Sequence, residues 1–165
     1  MARRTTSSLP PDARKRIADA LNARVADTYA LYALAKTAHW NVEGHAFIGL
    51  HKFLDDLAKL AFQRADTMAE RVMALGFPAT GVLPAAVASS PVEVGDAEFA
   101  PIPEYVTRLL DAYETFGKGL RATRLIAIQM GDRETAAYLD MLIFDVEHDA
   151  ALLAPHLPDD PPPSR

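Results

Sequence analysis

Apolar residues recur at three- to four-residue multiples from Pro11 to His39, through Ile17, Leu21, Val25, Tyr32 and Ala35, and this spacing predicts a first helix with those residues inward. The turn Asn41-Val42-Glu43-Gly44 ends it, with Gly44 free to take positive φ. A second helix is predicted from Ala46 to Leu75, stopped by Gly76 just past its end and Pro78 beyond. Residues 77–100 are punctuated by Pro, Gly and Ser, with one short helix near Leu83–Ala88, and are long enough to cross a bundle from end to end. A third helix follows over Ile102–Met130 with Val106, Leu109, Leu110, Tyr113, Phe116 and Leu120 inward; Gly131-Asp132 separates it from a fourth over Arg133–Leu153. No stretch alternates with a period of two, and no internal repeat is present. The pattern predicts an all-α four-helix bundle with one long crossover carrying a short extra helix, the connectivity of ferritin-like folds.

Composition sharpens this picture in three places. The 165 residues, half of them hydrophobic, suffice for one core, so residues 1–165 are read as a single domain. Flexible tails are expected at residues 1–11 and at the acidic, proline-rich residues 157–165. No window approaches eighteen uninterrupted apolar residues and no apolar run follows Arg3-Arg4, which supports neither a membrane span nor a secretory signal and favours a cytoplasmic protein. The absence of cysteine removes disulfides, thiolate metal sites and cysteine nucleophiles, so any metal site must use nitrogen and oxygen. The formal charge of −5 argues against a globally basic nucleic-acid binder. Basic residues do gather in residues 1–16, although Arg14, Lys15 and Arg16 already belong to the first helix.

The second helix carries the candidate chemistry. At about 100° per residue, Phe47, Leu50, Leu54, Leu57, Ala61, Met68, Val72 and Leu75 form a seam toward the chain's own core. His51, Asp55, Asp66 and Glu70 gather on the far side, sharing it with Ile48, Ala58, Phe62, Ala69 and Met73. A second apolar stripe of this kind calls for a partner. His51 and Asp66 are roughly 22 Å apart along one helix, too far to bind one ion. Two copies packed antiparallel about a two-fold axis near residues 60–61 remove that difficulty: His51 then faces Glu70 and Asp55 faces Asp66, since each pair of residue numbers adds to 121. His39, at the end of the first helix, would complete the nitrogen side.

Imidazole with carboxylate and no thiolate suits iron(II) or zinc better than an all-oxygen magnesium or calcium cage. An open mixed site holding one or two irons is suited to redox chemistry, because carboxylates stabilise iron(III). The competing reading is a set of ion pairs between protonated histidines and carboxylates across a dimer seam.

The stretch AHWNVEGHAFIGLHKFLDDLAKLAFQRADTMAERVMALG, residues 38–76, contains His-Trp-Asn-x-x-Gly, Phe-x-x-x-His-x-x-x-Asp and Asp-x-x-Ala-Glu-Arg. It resembles the signature of the DNA-binding proteins from starved cells, the Dps family of ferritin-like miniferritins. The resemblance implies that His39, His51, Asp55, Asp66 and Glu70 form a ferroxidase centre between two subunits, binding a single iron or a dinuclear pair. It further implies a hollow homo-dodecamer that takes iron(II) through acidic pores, oxidises it preferably with hydrogen peroxide and stores ferric mineral, protecting the cell and its DNA from oxidative damage. Trp40 is expected near the site as an electron donor or radical quencher, with ordinary packing as the alternative. Asp132, Glu134 and Asp140 are candidate pore acids by their position near the junction of the third and fourth helices.

The remaining histidines carry less. His45 occupies a place where that family has a small or uncharged residue, and is read as exposed or as an auxiliary iron ligand. His148, three residues after Asp145, resembles half of a classical ferritin Glu-x-x-His pair, but the acid is Asp and the second helix has no matching pair. His156 falls among prolines near the end of the chain. The rival function is an architectural, nucleoid-associated DNA-binding protein with secondary iron binding. Arg3 and Arg4 are its candidate phosphate contacts, yet with only two cations before the prolines the reading expects weak or absent DNA binding at physiological salt.

Overall fold

The computed structural model describes residues 3–158; residues 1–2 and 159–165, and with them most of the expected C-terminal tail, lie outside the described residues. Four long helices form the bundle: α1 (Pro11–Asn41), α2 (Phe47–Ala74), α4 (Ile102–Gln129) and α5 (Arg133–Leu153), with the short α3 (Leu83–Ser89) on the crossover between α2 and α4. Prolines open α1, α3 and α4 where a missing N–H costs nothing. The helix α5 opens on Asp132, whose carboxylate accepts from the Thr135 N–H. Helix α1 packs against α2, α4 and α3, and α4 against α5.

The chain contains one extended feature that periodicity does not predict. Val42–Glu43 and Ala100–Pro101 form a two-residue parallel bridge, β1 with β2, pairing Val42 with Ala100 and Glu43 with Pro101. It ties the α1–α2 turn to the end of the crossover. Two residues are too few for the alternation that marks a strand in sequence.

The core runs the length of the bundle, with Ile17, Leu21, Leu34, Leu50, Leu54, Leu57, Met68, Tyr105, Leu109, Phe116 and Leu120 among its fully buried side chains. The predicted α2 seam is buried, apart from half-buried Phe47. Two expectations need correction. Ala58, placed on the outer stripe, is buried against the core, because its small side chain sits at the seam's edge where neighbouring helices close over it. Tyr32, expected inward on α1, lies at the surface with its ring centroid 6.1 Å from that of Phe62.

Charged pairs link the layers where apolar packing stops. Arg64 of α2 reaches the buried Asp149 of α5 at 2.6 Å, and the Tyr113 hydroxyl donates to the same carboxylate oxygen at 3.4 Å. Arg24 and Asp27 pair at 2.8 Å beneath the crossover, where Ser90 donates to Asp27 at 2.8 Å. Burial pushes the Asp27 carboxyl up despite the Arg24 charge.

A flexible tail is expected over residues 1–11; of these, Arg3 and Thr5 lie against the end of α2. Thr5 Oγ1 donates to the Ala74 carbonyl at 2.6 Å, Arg14 Nη1 to Leu75 at 2.8 Å and the Arg3 N–H to Gly76 at 2.8 Å. Three successive carbonyls at a helix C-terminus, which have no partners within the helix, are thereby satisfied. Gly76 makes this possible, with φ +91° and so little room that an added Cβ would lie 2.8 Å from the Arg3 carbonyl oxygen.

Candidate metal centre

His39 and His51 come together where the end of α1 meets the start of α2, although twelve residues separate them. His39 Nδ1 lies 2.7 Å from the His51 carbonyl oxygen and His51 Nδ1 lies 2.7 Å from the His39 carbonyl oxygen. A carbonyl only accepts, so both Nδ1 atoms carry the proton. The rings stack with centroids 3.8 Å apart and planes at 20°. The Nδ1 bonds leave each Nε2 outside them, and an imidazole anchored through Nδ1–H to a carbonyl is the arrangement in which Nε2 serves as the metal ligand.

Asp55 stands one turn after His51 on the same face of α2. Its carboxylate is held by the Lys36 ammonium at 2.8 Å and the Lys59 ammonium at 2.8 Å. Lys36, and after it Lys59, hold the Asp55 carboxyl well below the usual carboxylate range. The site thus contains an ionised acid already accompanied by cations, and an incoming metal ion must share it with them. The sequence reading overlooks Lys36, which lies on α1 four residues before Trp40; the signal is its place one turn ahead of His39.

Asp66 and Glu70 are exposed toward the other end of α2. Among the described residues of one chain, no three His, Asp or Glu side chains converge to hold a metal ion. The structure brings His39 and His51 together, with Asp55 one turn further along α2 on its two lysines; Asp66 and Glu70 stand apart from them, and Glu70 forms part of the wall of a separate cavity of about 530 Å³ with Arg3, Met73 and Phe77.

The surface of α2 adds an observation that owes nothing to the acids. Ile48 is 63% exposed and Met73 60% exposed, and their numbers also add to 121. Phe62, at 55% exposed, lies close to the expected axis. Large apolar side chains left exposed along one bundle helix are a feature that a partner surface can cover.

The Trp40 ring is exposed, with its centroid 6.5 Å from that of His39 and the Lys36 ammonium 5.1 Å from its own. His45 and His148 are exposed, and His156 is half-buried in a turn of 3₁₀ helix.

The pore-acid expectation fails for Asp132. Its side chain is fully buried, with both carboxylate oxygens accepting from Arg71 at 2.8 and 2.9 Å and two further bonds to Thr135. This is a helix cap joined to an ion pair, and it leaves no oxygen for a passing cation. Asp140 is exposed and paired with Arg124, and Glu134 is exposed. Arg3 and Arg4 are both exposed at the protein surface.

The helical layout and this centre describe a ferritin-like protein, and comparison with known proteins agrees. The ferritin-like domain family matches residues 18–160. The chain is 37% identical over 153 residues to the DNA protection during starvation protein of Halobacterium salinarum, across 90% of this chain and 82% of that protein. The structure of DpsC from Streptomyces coelicolor superposes with a TM-score of 0.91 at 30% identity, covering 98% of this chain and 94% of that one. A Vibrio cholerae Dps protein, described as a member of a broad superfamily of ferritin-like diiron-carboxylate proteins, shares the fold with a TM-score of 0.84 at 20% identity, covering 94% of this chain and 98% of its own. The chain belongs to the Dps family. Among the described residues, no helix is long and apolar enough to cross a membrane.

Proposed function

We propose that this protein oxidises iron(II) at centres shared between two copies of the chain and stores the ferric product in a cage, protecting DNA and cell from iron-driven oxidation. The observation that carries the reading is the reciprocal His39–His51 pair, which fixes both imidazoles as Nε2 donors at the edge of an uncovered helix face. The ferritin-like family and the likeness to a DNA protection during starvation protein support it.

In this reading His39, His51 and Asp55 of one copy hold iron(II), while Asp66 and Glu70 of the second complete the centre. The carboxylates favour iron(III) over iron(II), so they assist loss of the electron. Each iron(II) gives up one electron; hydrogen peroxide takes up two, with two protons, and becomes water. Consuming both reactants at a protein centre suppresses hydroxyl-radical formation. The partner surface over Phe62, Ile48 and Met73 limits water at the centre. The assembly is a dodecamer in the cytoplasm, and Glu134 and Asp140 are the pore acids that remain. DNA contact through Arg3 and Arg4 is a weak second activity, because two guanidiniums per copy bind phosphate only through repetition and lose it to salt.

The test compares iron(II) oxidation under peroxide and under oxygen for the parent and for Asp66→Ala with Glu70→Ala. The expected result is fast, peroxide-preferring oxidation in the parent and a fall to the protein-free rate in the double variant, with assembly retained. A double variant that oxidises iron(II) at the parent rate, or a parent without an iron-dependent ultraviolet absorbance change on adding peroxide, overturns the reading.

A further inference from the structure

The segment Arg3-Arg4-Thr5-Thr6-Ser7-Ser8 sets two guanidiniums ahead of four hydroxyls. The fold treats those hydroxyls in alternation. Thr5 Oγ1 donates to the Ala74 carbonyl and accepts from the Ser7 N–H at 3.2 Å, while Ser7 Oγ accepts from the Leu9 N–H at 3.3 Å. Both residues are half-buried and committed to holding the segment on α2. Thr6 and Ser8 are exposed, and their hydroxyls take part in none of these bonds.

Thr6 and Ser8 also border a cavity of about 350 Å³ whose opposite wall includes Arg71, Arg133 and Glu134. Arg71 uses Nε and Nη2 on Thr135 and Asp132, leaving Nη1 outside those bonds. Arg133 is exposed in the first turn of α5. Arg133 and the Nη1 edge of Arg71, whose charge is shared with Asp132, offer guanidinium donors to an anion beside Glu134, and the cavity holds none of the five candidate iron ligands.

We propose that Thr6 is a phosphorylation site for an arginine-directed serine/threonine kinase, and that the wall formed by Arg71 and Arg133 receives the phosphate. Such kinases select a hydroxyl by placing acidic groups against guanidiniums on its N-terminal side, and Thr6 has Arg4 two and Arg3 three positions before it. Ser8 has Thr6 and Thr5 at those positions, so its equal exposure does not make it an equal substrate. In the transfer, Thr6 Oγ1 forms a bond to the γ-phosphorus of ATP as the β,γ-bridging P–O bond breaks. The hydroxyl proton goes to the kinase's base and ADP leaves. The product carries about −1.5 to −2 charges near neutral pH, which offsets Arg3 and Arg4 and adds charge-assisted hydrogen bonds across the cavity. The modification therefore switches the N-terminal segment from phosphate-attracting to neutral and ties it to the start of α5.

The experiment treats the full-length assembled protein with ATP and the catalytic subunit of a cyclic-nucleotide-dependent protein kinase, maps the product by peptide mass spectrometry and titrates it by phosphorus NMR. The expected product has phosphate on Thr6, absent in Thr6→Ala and strongly reduced in Arg3→Gln with Arg4→Gln. Its second phosphate ionisation, ordinarily near pH 6, is expected at lower pH and to return toward the ordinary value in Arg133→Gln. No incorporation, or incorporation chiefly at Thr5, Ser7 or Ser8, overturns the site. A phosphothreonine titrating identically in the parent and in Arg133→Gln overturns the receiving wall. Neither readout involves iron, so failure here is distinct from failure of the ferroxidase reading.

Discussion

His39 and His51 hold each other by their backbones: each Nδ1–H donates to the other residue's carbonyl oxygen at 2.7 Å, and the two rings lie stacked between those bonds. The pair joins the end of α1 to the start of α2 and leaves both Nε2 atoms outside those bonds. Structure and chemistry are therefore coupled at these two positions.

Replacing either histidine separates the two contributions. His39→Ala and His51→Ala each remove one proposed metal-binding nitrogen and one of the two cross-helix hydrogen bonds. A neutral hydrogen bond contributes about 1 kcal/mol, so the fold is expected to survive with a modest fall in unfolding free energy. Iron(II) binding is expected to weaken at least 10- to 100-fold, the scale reached on disturbing even the supporting groups of a metal site. Denaturant unfolding and iron(II) titration of each variant check the two effects independently.

The Asp132–Arg71 pair predicts a pH dependence of stability. Burial raises the carboxyl, but the Thr135 hydrogen bonds and then the Arg71 charge outweigh it, so the net shift is downward. A lowered carboxyl stabilises the fold above its unfolded value, near 3.9, and that stabilisation is lost as pH falls through the folded value. Asp132→Asn keeps a capping side chain and removes the charge. It is expected to cost about 1–3 kcal/mol at neutral pH, the range for a hydrogen bond to a charged group, with the difference from the parent shrinking below about pH 4. Unfolding free energies of both proteins across that range check the sign.

Deleting residues 2–10 removes the Thr5 and Arg3 bonds that close the end of α2, along with the two exposed guanidiniums. The Leu9 and Pro10 carbonyls that accept from Arg14 are lost as well; four net hydrogen bonds at a partly exposed site contribute about 4 kcal/mol, so stability is expected to fall by that amount and amides near Leu75 to exchange faster. Gel-shift titration of the same variant is expected to show weak DNA retardation at low salt becoming weaker still, and none by either protein at physiological salt. Tight, arm-dependent retardation in salt contradicts that expectation.

Much of the fold is legible in the sequence because α2, α4 and α5 each bury an apolar seam at helical spacing. Their predicted spans agree with the observed ones to within a residue at either end, and Arg133–Leu153 coincides with α5. Helix α1 is less legible at the residue level. It is covered by α2, α4 and α3, so Asp27 and Thr28 are buried among its apolar residues while Tyr32 lies outside. Periodicity shows which residues share a face, but not that Arg24, Arg64 and Arg71 stand ready to neutralise buried acids. For that reason Asp132 passes for a pore acid in sequence and is a sealed helix cap in space. The outward face of His51, Asp55, Asp66 and Glu70 is legible because helix geometry alone gathers them; the Lys36 contact to Asp55 depends on how α1 packs across α2, which no single-helix pattern contains.

If each centre draws ligands from two copies of the chain, mixed assembly of two inactive variants recovers intact centres. His51→Ala lacks one nitrogen ligand of every centre and Glu70→Ala one acid ligand from the other copy, so each alone is expected to oxidise iron(II) slowly. When the two are unfolded together and reassembled, a mixed dimer contains one centre carrying both defects and one carrying neither. Random pairing then restores about a quarter of the parent's oxidation rate, from half the dimers being mixed and half their centres intact. Mixed assemblies that remain as inactive as the separate variants would contradict a shared centre.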